Sequence, residues 1–187
     1  TSTVFFAWHG GEPTALGVDY YRRIVELQRK HLPPGRRAMN GIQTNGTLLD
    51  EAWCRFLAEN RFYVGLSLDG PRELHDAYRV TKGGQPTHQR VIGALRLLQR
   101  HRVPTDTLCV VHDRNVGHPL EVYRYLREIG ADYVQFLPLV NRAEEDGGRD
   151  DRPTGMLAGS GGRDDRPTGV LAGSGGRDDR PTGVLAG

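Results

Sequence analysis

Apolar, β-branched runs recur along the first 140 residues, each followed by a polar stretch and then by a segment whose apolar positions fall three or four apart. The runs are TVFFAW, MNGIQT, FYVGLSL, TDTLCVV and YVQFLPLV, and the segments between them are GVDYYRRIVELQRKH, LDEAWCRFLAEN, THQRVIGALRLLQRH and PLEVYRYLREIG. Short apolar runs bounded by turn residues predict strands, and the three-and-four spacing predicts amphipathic helices. Asp50 stands where an N-cap belongs, and Gly130 stands where a helix stops. The order βαβαβαβαβ predicts an α/β domain of parallel βα repeats, with the helices packed outside the strands.

The rhythm breaks after Asn141. From Gly148 onward the chain reads GRDDRPTGMLAGSG, GRDDRPTGVLAGSG and GRDDRPTGVLAG, a fourteen-residue repeat that holds eleven of the 25 glycines. Each unit is neutral and offers one short apolar trio, too little burial to offset the entropy of ordering it. A calcium-binding β-roll needs a regular glycine and aspartate period that this unit lacks. The expected organisation is therefore a folded domain over residues 1–141 and a low-complexity, disordered tail over 142–187.

Charge and cysteine content narrow the function. The net charge of +2 belongs to residues 1–147, because the repeat is neutral, and gives no case for nucleic-acid binding. Cys54 and Cys109 are the only cysteines, too few for a disulfide framework or an all-cysteine metal site. A reducing, cytoplasmic setting is the expectation. No apolar run is long enough for a membrane span, and no signal peptide is evident. The opening Thr-Ser-Thr-Val already lies inside a strand pattern and reads as a cut start.

In parallel α/β folds the loops after the strands gather on one face and carry the site. Those loops hold HGGEP (9–13), QTNG (43–46), SLDG (67–70), VHDRN (111–115) and QFLPLV (135–140). Gly10 and Gly11 let a ligand approach the main chain and allow unusual φ angles. Backbone carbonyls with the Glu12 carboxylate suit a cation such as an amino group, whereas a phosphate loop offers N–H groups and a lysine. Asn45 and Ser67 add hydrogen-bonding groups on neighbouring strand ends, and Arg79 can pair with a carboxylate. An ammonium site beside a carboxylate site describes an amino acid, or a molecule carrying one.

The stretches WHGGEPTAL, QTNGTLLDEAWCRFLAEN, VGLSLDGPRELHDAYR and VYRYLREIGADYVQFLPLV together resemble the anaerobic sulfatase-maturating enzymes, radical S-adenosylmethionine enzymes, from about Val4 to Asn141. The resemblance implies a partial (βα)6 barrel. It implies that Gly10, Gly11 and Glu12 hold the methionine amino group of S-adenosylmethionine, and that Ser67 and Arg79 hold its carboxylate and ribose side. His9 takes the place before the glycine pair where some members have glutamine, and joins Asn45 as a further cofactor-contact candidate.

The family's reaction, as the resemblance implies it, begins at a [4Fe-4S] cluster held by a Cys-x-x-x-Cys-x-x-Cys loop. The cluster reduces S-adenosylmethionine, and a 5'-deoxyadenosyl radical takes a hydrogen from Cβ of a cysteine or serine in a sulfatase polypeptide, which ends as Cα-formylglycine. A flavodoxin or ferredoxin supplies electrons. That cysteine loop and the family's C-terminal auxiliary-cluster domain are both absent here, so the expectation is a fragment that binds no cluster and is inactive as it stands. Asp69 and Asp113 are near enough by location to be considered as the proton acceptor, and neither is assigned. The alternatives are another radical peptide-modifying enzyme, or a non-catalytic α/β remnant that at most binds S-adenosylmethionine.

Overall fold

The structure is a computed structural model that describes residues 2–140. The repeat, its expected disorder and the domain boundary at 141 lie outside the described residues. Five strands form one sheet: β1 (Ser2–Trp8), β2 (Arg36–Thr44), β3 (Tyr63–Ser67), β4 (Thr105–Val111) and β5 (Tyr133–Pro138). All four neighbouring pairs are parallel, and the sheet order is the chain order. Four helices cross between them: α1 (Val18–His31), α2 (Glu51–Glu59), α4 (His88–Arg100) and α5 (Pro119–Glu128). A single-turn α3 (Arg72–His75) precedes α4, and a 3-10 turn spans Pro13–Leu16.

Right-handed crossovers applied to a strand order that never reverses put every helix on the same face of the sheet. The result is a curled half-barrel, as the resemblance implies, and not a sheet wound on both faces. Side-chain burial records the same asymmetry. Ile42, Val64, Leu66 and Leu68 point into a core shared with Tyr21 and Val25 of α1, Trp53 and Leu57 of α2, Leu95 and Leu98 of α4, and Val122 and Leu126 of α5. Their neighbours on the other face, Phe5, Met39, Tyr63 and Tyr133, are exposed.

The capping expectations are met in atomic detail. The Asp50 carboxylate accepts from the backbone N–H of Trp53 at 2.8 Å, and Gly130 sits beyond α5 with φ +78°. Two elements depart from the periodicity. β2 starts at Arg36, three residues before its apolar run, because Arg36, Arg37 and Ala38 pair in register with Ser2, Thr3 and Val4. A ladder at the rim of a sheet needs backbone partners and not apolar side chains. The single turn of α3 inside PRELHDAYR is too short to show a period.

Candidate functional site

The strands run in one direction and their ends step along the sheet. Trp8 pairs with Ile42, Thr44 with Leu66, Ser67 with Leu108, and Val111 with Pro138, so the loops that follow all emerge from its C-terminal end. In the first loop Gly10 and Gly11 adopt φ of +86° and +54°, backbone conformations that cost an L-residue about 1 to 2 kcal/mol. A Cβ built on either glycine meets nothing within 4 Å. The space above the loop is open, and the glycines are needed for the backbone turn.

Glu12 then turns inward, because its carboxylate caps the 3-10 turn. Oε1 accepts from the backbone N–H of Thr14 at 3.1 Å, from the Thr14 hydroxyl, and from the Thr44 hydroxyl at 2.6 Å. Oε2 accepts from the backbone N–H of Asn45 at 2.8 Å and keeps room for a second donor. The carboxylate that the sequence offers to a cation thus also braces the β1 loop against the β2 loop. Asn45 spends its Oδ1 on the backbone and hydroxyl of Thr47, which leaves its Nδ2 hydrogens as donors. Ser67 is the last residue of β3, buried, and its hydroxyl has no protein hydrogen-bond partner among the described residues. His9 is exposed and makes no such bond either.

Arg79 is committed elsewhere. Its Nε and Nη2 donate to the carboxylate of Asp69, which is fully buried and also accepts from the backbone N–H of Val110 at 2.8 Å. The rest of Asp69 is tied as well. Its N–H donates to Nδ1 of His75 at 3.2 Å, and its carbonyl accepts from Nδ2 of Asn115 at 3.2 Å. Asp69 therefore holds together the ends of β3 and β4, α3 and the loop after β4. A carboxylate enclosed in this way is a structural centre and does not reach a substrate proton.

The tautomer of His75 follows from the same network. Its Nδ1 accepts, and the Thr87 hydroxyl gives its hydrogen to the carbonyl of Arg79 at 2.6 Å. The 3.1 Å contact between His75 Nε2 and that hydroxyl oxygen must therefore be an Nε2–H donor. Burial, and secondarily the nearby Arg79 charge, push the imidazole down to about 2. His75 is neutral at every physiological pH.

The loop after β4 is less tightly closed. Asp113 is exposed and accepts from the Tyr78 hydroxyl at 2.6 Å, a bond that holds its carboxyl below the usual range. His112 beneath it is buried, and its Nδ1 accepts from the backbone N–H of Arg114 at 3.2 Å. Its Nε2 has no partner among the described residues, and the Tyr78 ring stands edge-on at 4.8 Å. Burial lowers the pKa of this imidazole too.

The structure thus brings Glu12 and Asn45 into contact, sets Ser67 at the end of the adjacent strand, places His9 at the rim, and turns Arg79 toward Asp69. Thr14, Thr44, His75, Thr87 and Asn115, which frame these groups, carry no local sequence signal beyond their place beside a turn.

An iron-sulfur cluster does not fit these residues. Among the described residues no three His, Cys, Asp or Glu side chains stand together as a metal-ligand set. Cys54 lies in α2 and Cys109 in β4, both buried. Burial raises their thiols to about 11 and about 12, so neither is a thiolate at neutral pH.

Comparison with known proteins bears on the same loops. The Radical SAM superfamily model matches residues 2–126. The chain is 44% identical over 146 residues to the serine-type anaerobic sulfatase-maturating enzyme of Bacteroides thetaiotaomicron, covering 77% of this chain and 35% of that protein. It is 40% identical over 144 residues to the cysteine-type enzyme of Clostridium perfringens, covering 77% of this chain and 39% of that protein. A solved structure of native anSMEcpe with bound AdoMet and the Kp18Cys peptide superposes with a TM-score of 0.75 at 39% identity, over 80% of this chain and 41% of that one. The chain spans well under half the length of these relatives. With strand order, strand-end loops and family model in agreement over nearly the same residues, the chain belongs to the radical SAM superfamily.

Proposed function

We propose that this chain is the cofactor-binding part of a radical S-adenosylmethionine enzyme that oxidises a cysteine or serine of a sulfatase polypeptide to Cα-formylglycine. The observation that carries the reading is the HGGEP loop: two open, left-handed glycines beside a carboxylate whose position is fixed by three neighbouring residues. The names of the two relatives support the substrate class.

In this reading the main-chain carbonyls at Gly10 and Gly11 and the free edge of Glu12 Oε2 receive the ammonium of S-adenosylmethionine. Donors already hold the carboxylate in place, so little reorganisation is needed when the cation arrives. The Ser67 hydroxyl and Asn45 Nδ2 face the other end of the same amino acid, with His9 at the rim. Arg79 acts first through Asp69, by fixing the end of β3 that carries Ser67, and its uncommitted Nη1 is the edge it offers a carboxylate. When bound, the cofactor supplies the one-electron chemistry of the family. The open face of the sheet and the loop at Tyr78 and Asp113 are where a polypeptide substrate would lie.

The cluster that this chemistry requires must be held by residues other than these. A flavodoxin or ferredoxin as electron donor and a cytoplasmic setting belong to the same reading. No described helix is long and apolar enough to cross a membrane.

A chimera tests the reading. Residues 2–140 replace the matching segment of the Clostridium perfringens enzyme, and cysteine and serine sulfatase peptides are assayed anaerobically by mass spectrometry. The expected product is an aldehyde-bearing peptide from at least one of them. A chimera that cleaves S-adenosylmethionine and modifies neither peptide would point to a different peptide-modifying enzyme. One that fails to bind the cofactor would leave an inert remnant.

A further inference from the structure

At the opposite end of the strands, below the start of β2, lies a cleft of about 500 Å³ bounded by the α1–β2 loop and the α2–β3 turn. Arg29 from the last turn of α1, Arg36 at the start of β2, and Arg61 in the turn after α2 line it. Arg37 also lines the cleft, although alternation along the strand sends its side chain to the other face. None of these four arginines forms an ion pair among the described residues, as is also true of Arg55, Arg90, Arg96, Arg102, Arg124 and Arg127; what sets the four apart is their place around one cleft. The single side-chain hydrogen bond in the set, among the described residues, is from Arg29 Nη2 to Asn60 Oδ1 at 3.1 Å.

Arginines near helix C-termini are ordinarily explained by the helix dipole, and α1 and α2 both end here. The magnitudes decide against that explanation alone. Two helix ends contribute roughly one negative charge between them, and Glu59 is the one carboxylate in the lining. The three guanidinium groups turned into the cleft exceed that sum by about one charge. The surplus surrounds a concavity in the size range of small-molecule sites. Guanidinium forks match phosphoryl oxygens two at a time.

We propose that this cleft binds a diphosphate group, either free or carried on a nucleoside, at a site separate from the strand-end loops. Arg29, Arg36 and Arg61 make the contacts, their forks meeting the oxygens of both phosphoryl groups.

Arg61 supplies a clean test because its φ is +53°. Arg61→Gly removes the guanidinium and suits that backbone better than arginine does, so the fold is retained. Calorimetric titration of the chain with pyrophosphate should give saturable single-site binding that weakens as salt is added. Arg61→Gly and Arg36→Gln should each weaken it about tenfold or more, as expected for loss of a charge-assisted contact. Arg124→Gln, on an exposed part of α5 outside the cleft, should leave it unchanged. ADP binding more tightly than pyrophosphate assigns a nucleotide, and equal binding assigns the diphosphate alone. The absence of saturable binding up to about 10 mM, or an equal loss in Arg124→Gln and Arg61→Gly, would overturn the site.

Discussion

Glu12 shows how one side chain can serve fold and ligand together. Its carboxylate accepts four hydrogen bonds from Thr14, Thr44 and Asn45, and an amide in its place turns one acceptor into a donor facing donors. Glu12→Gln should therefore destabilise the chain by about 1 to 3 kcal/mol with no ligand present, measured by urea unfolding. A variant as stable as the parent would mean that the brace carries no energy. His75 makes a second residue-scale prediction. Its folded-state pKa of about 2 lies below the ordinary 6.5, so between those values the unfolded chain binds a proton that the folded chain refuses. Stability should hold above pH 6.5 and fall as pH drops toward 2, by about 1.4 kcal/mol per unit for each such proton. The fall should be shallower in His75→Gln, compared by its slope and not by its starting stability. At this scale the sequence was readable where chemistry is local. Gly10, Gly11 and Glu12 announce a turn with a carboxylate. The partners Thr44 and Asn115 act across 32 and 46 residues, and no spacing rule reaches that far.

Among the elements, the alternation of apolar runs and three-and-four patterns placed five strands and four helices, because each strand and each helix buries one face against the same core. It missed α3, too short to have a period, and the first three residues of β2, held by backbone pairing alone. It also proposed a role for Arg79 without its partner, since Asp69 lies in another turn and only the folded chain brings the two charges together. Element packing makes its own prediction at Gly46, in the turn leading from β2 to α2. There φ is +75°, and an added Cβ would lie 2.6 Å from Leu66 Cδ1 in the core and 3.4 Å from Ala94 Cβ of α4. Gly46→Ala should cost about 2 to 4 kcal/mol, combining backbone strain with overpacking. Gly10→Ala, strained but unopposed, should cost only about 1 to 2 kcal/mol. Equal losses in urea unfolding would show that the close approach at Gly46 is relieved by movement of the core.

At the scale of the whole sheet, the decisive feature is that a strand order without reversal leaves one face without a helix among the described residues and gathers the loops at its C-terminal rim. That arrangement separates three regions: an open face with exposed Phe5, Met39, Tyr63 and Tyr133, a rim with Glu12, Asn45 and Ser67, and an arginine-lined cleft at the far end. Only the rim is assigned to S-adenosylmethionine. The most direct test is a ¹⁵N-labelled chain titrated with S-adenosylmethionine and followed by amide chemical shifts, a method sensitive to the millimolar affinity expected without a cluster iron. The predicted result is a saturable set of shifts centred on Gly10, Gly11, Glu12, Asn45 and Ser67 that disappears in Gly11→Val, where a branched side chain fills the open space above the loop. Shifts centred elsewhere, or a rim response that Gly11→Val leaves intact, would contradict it.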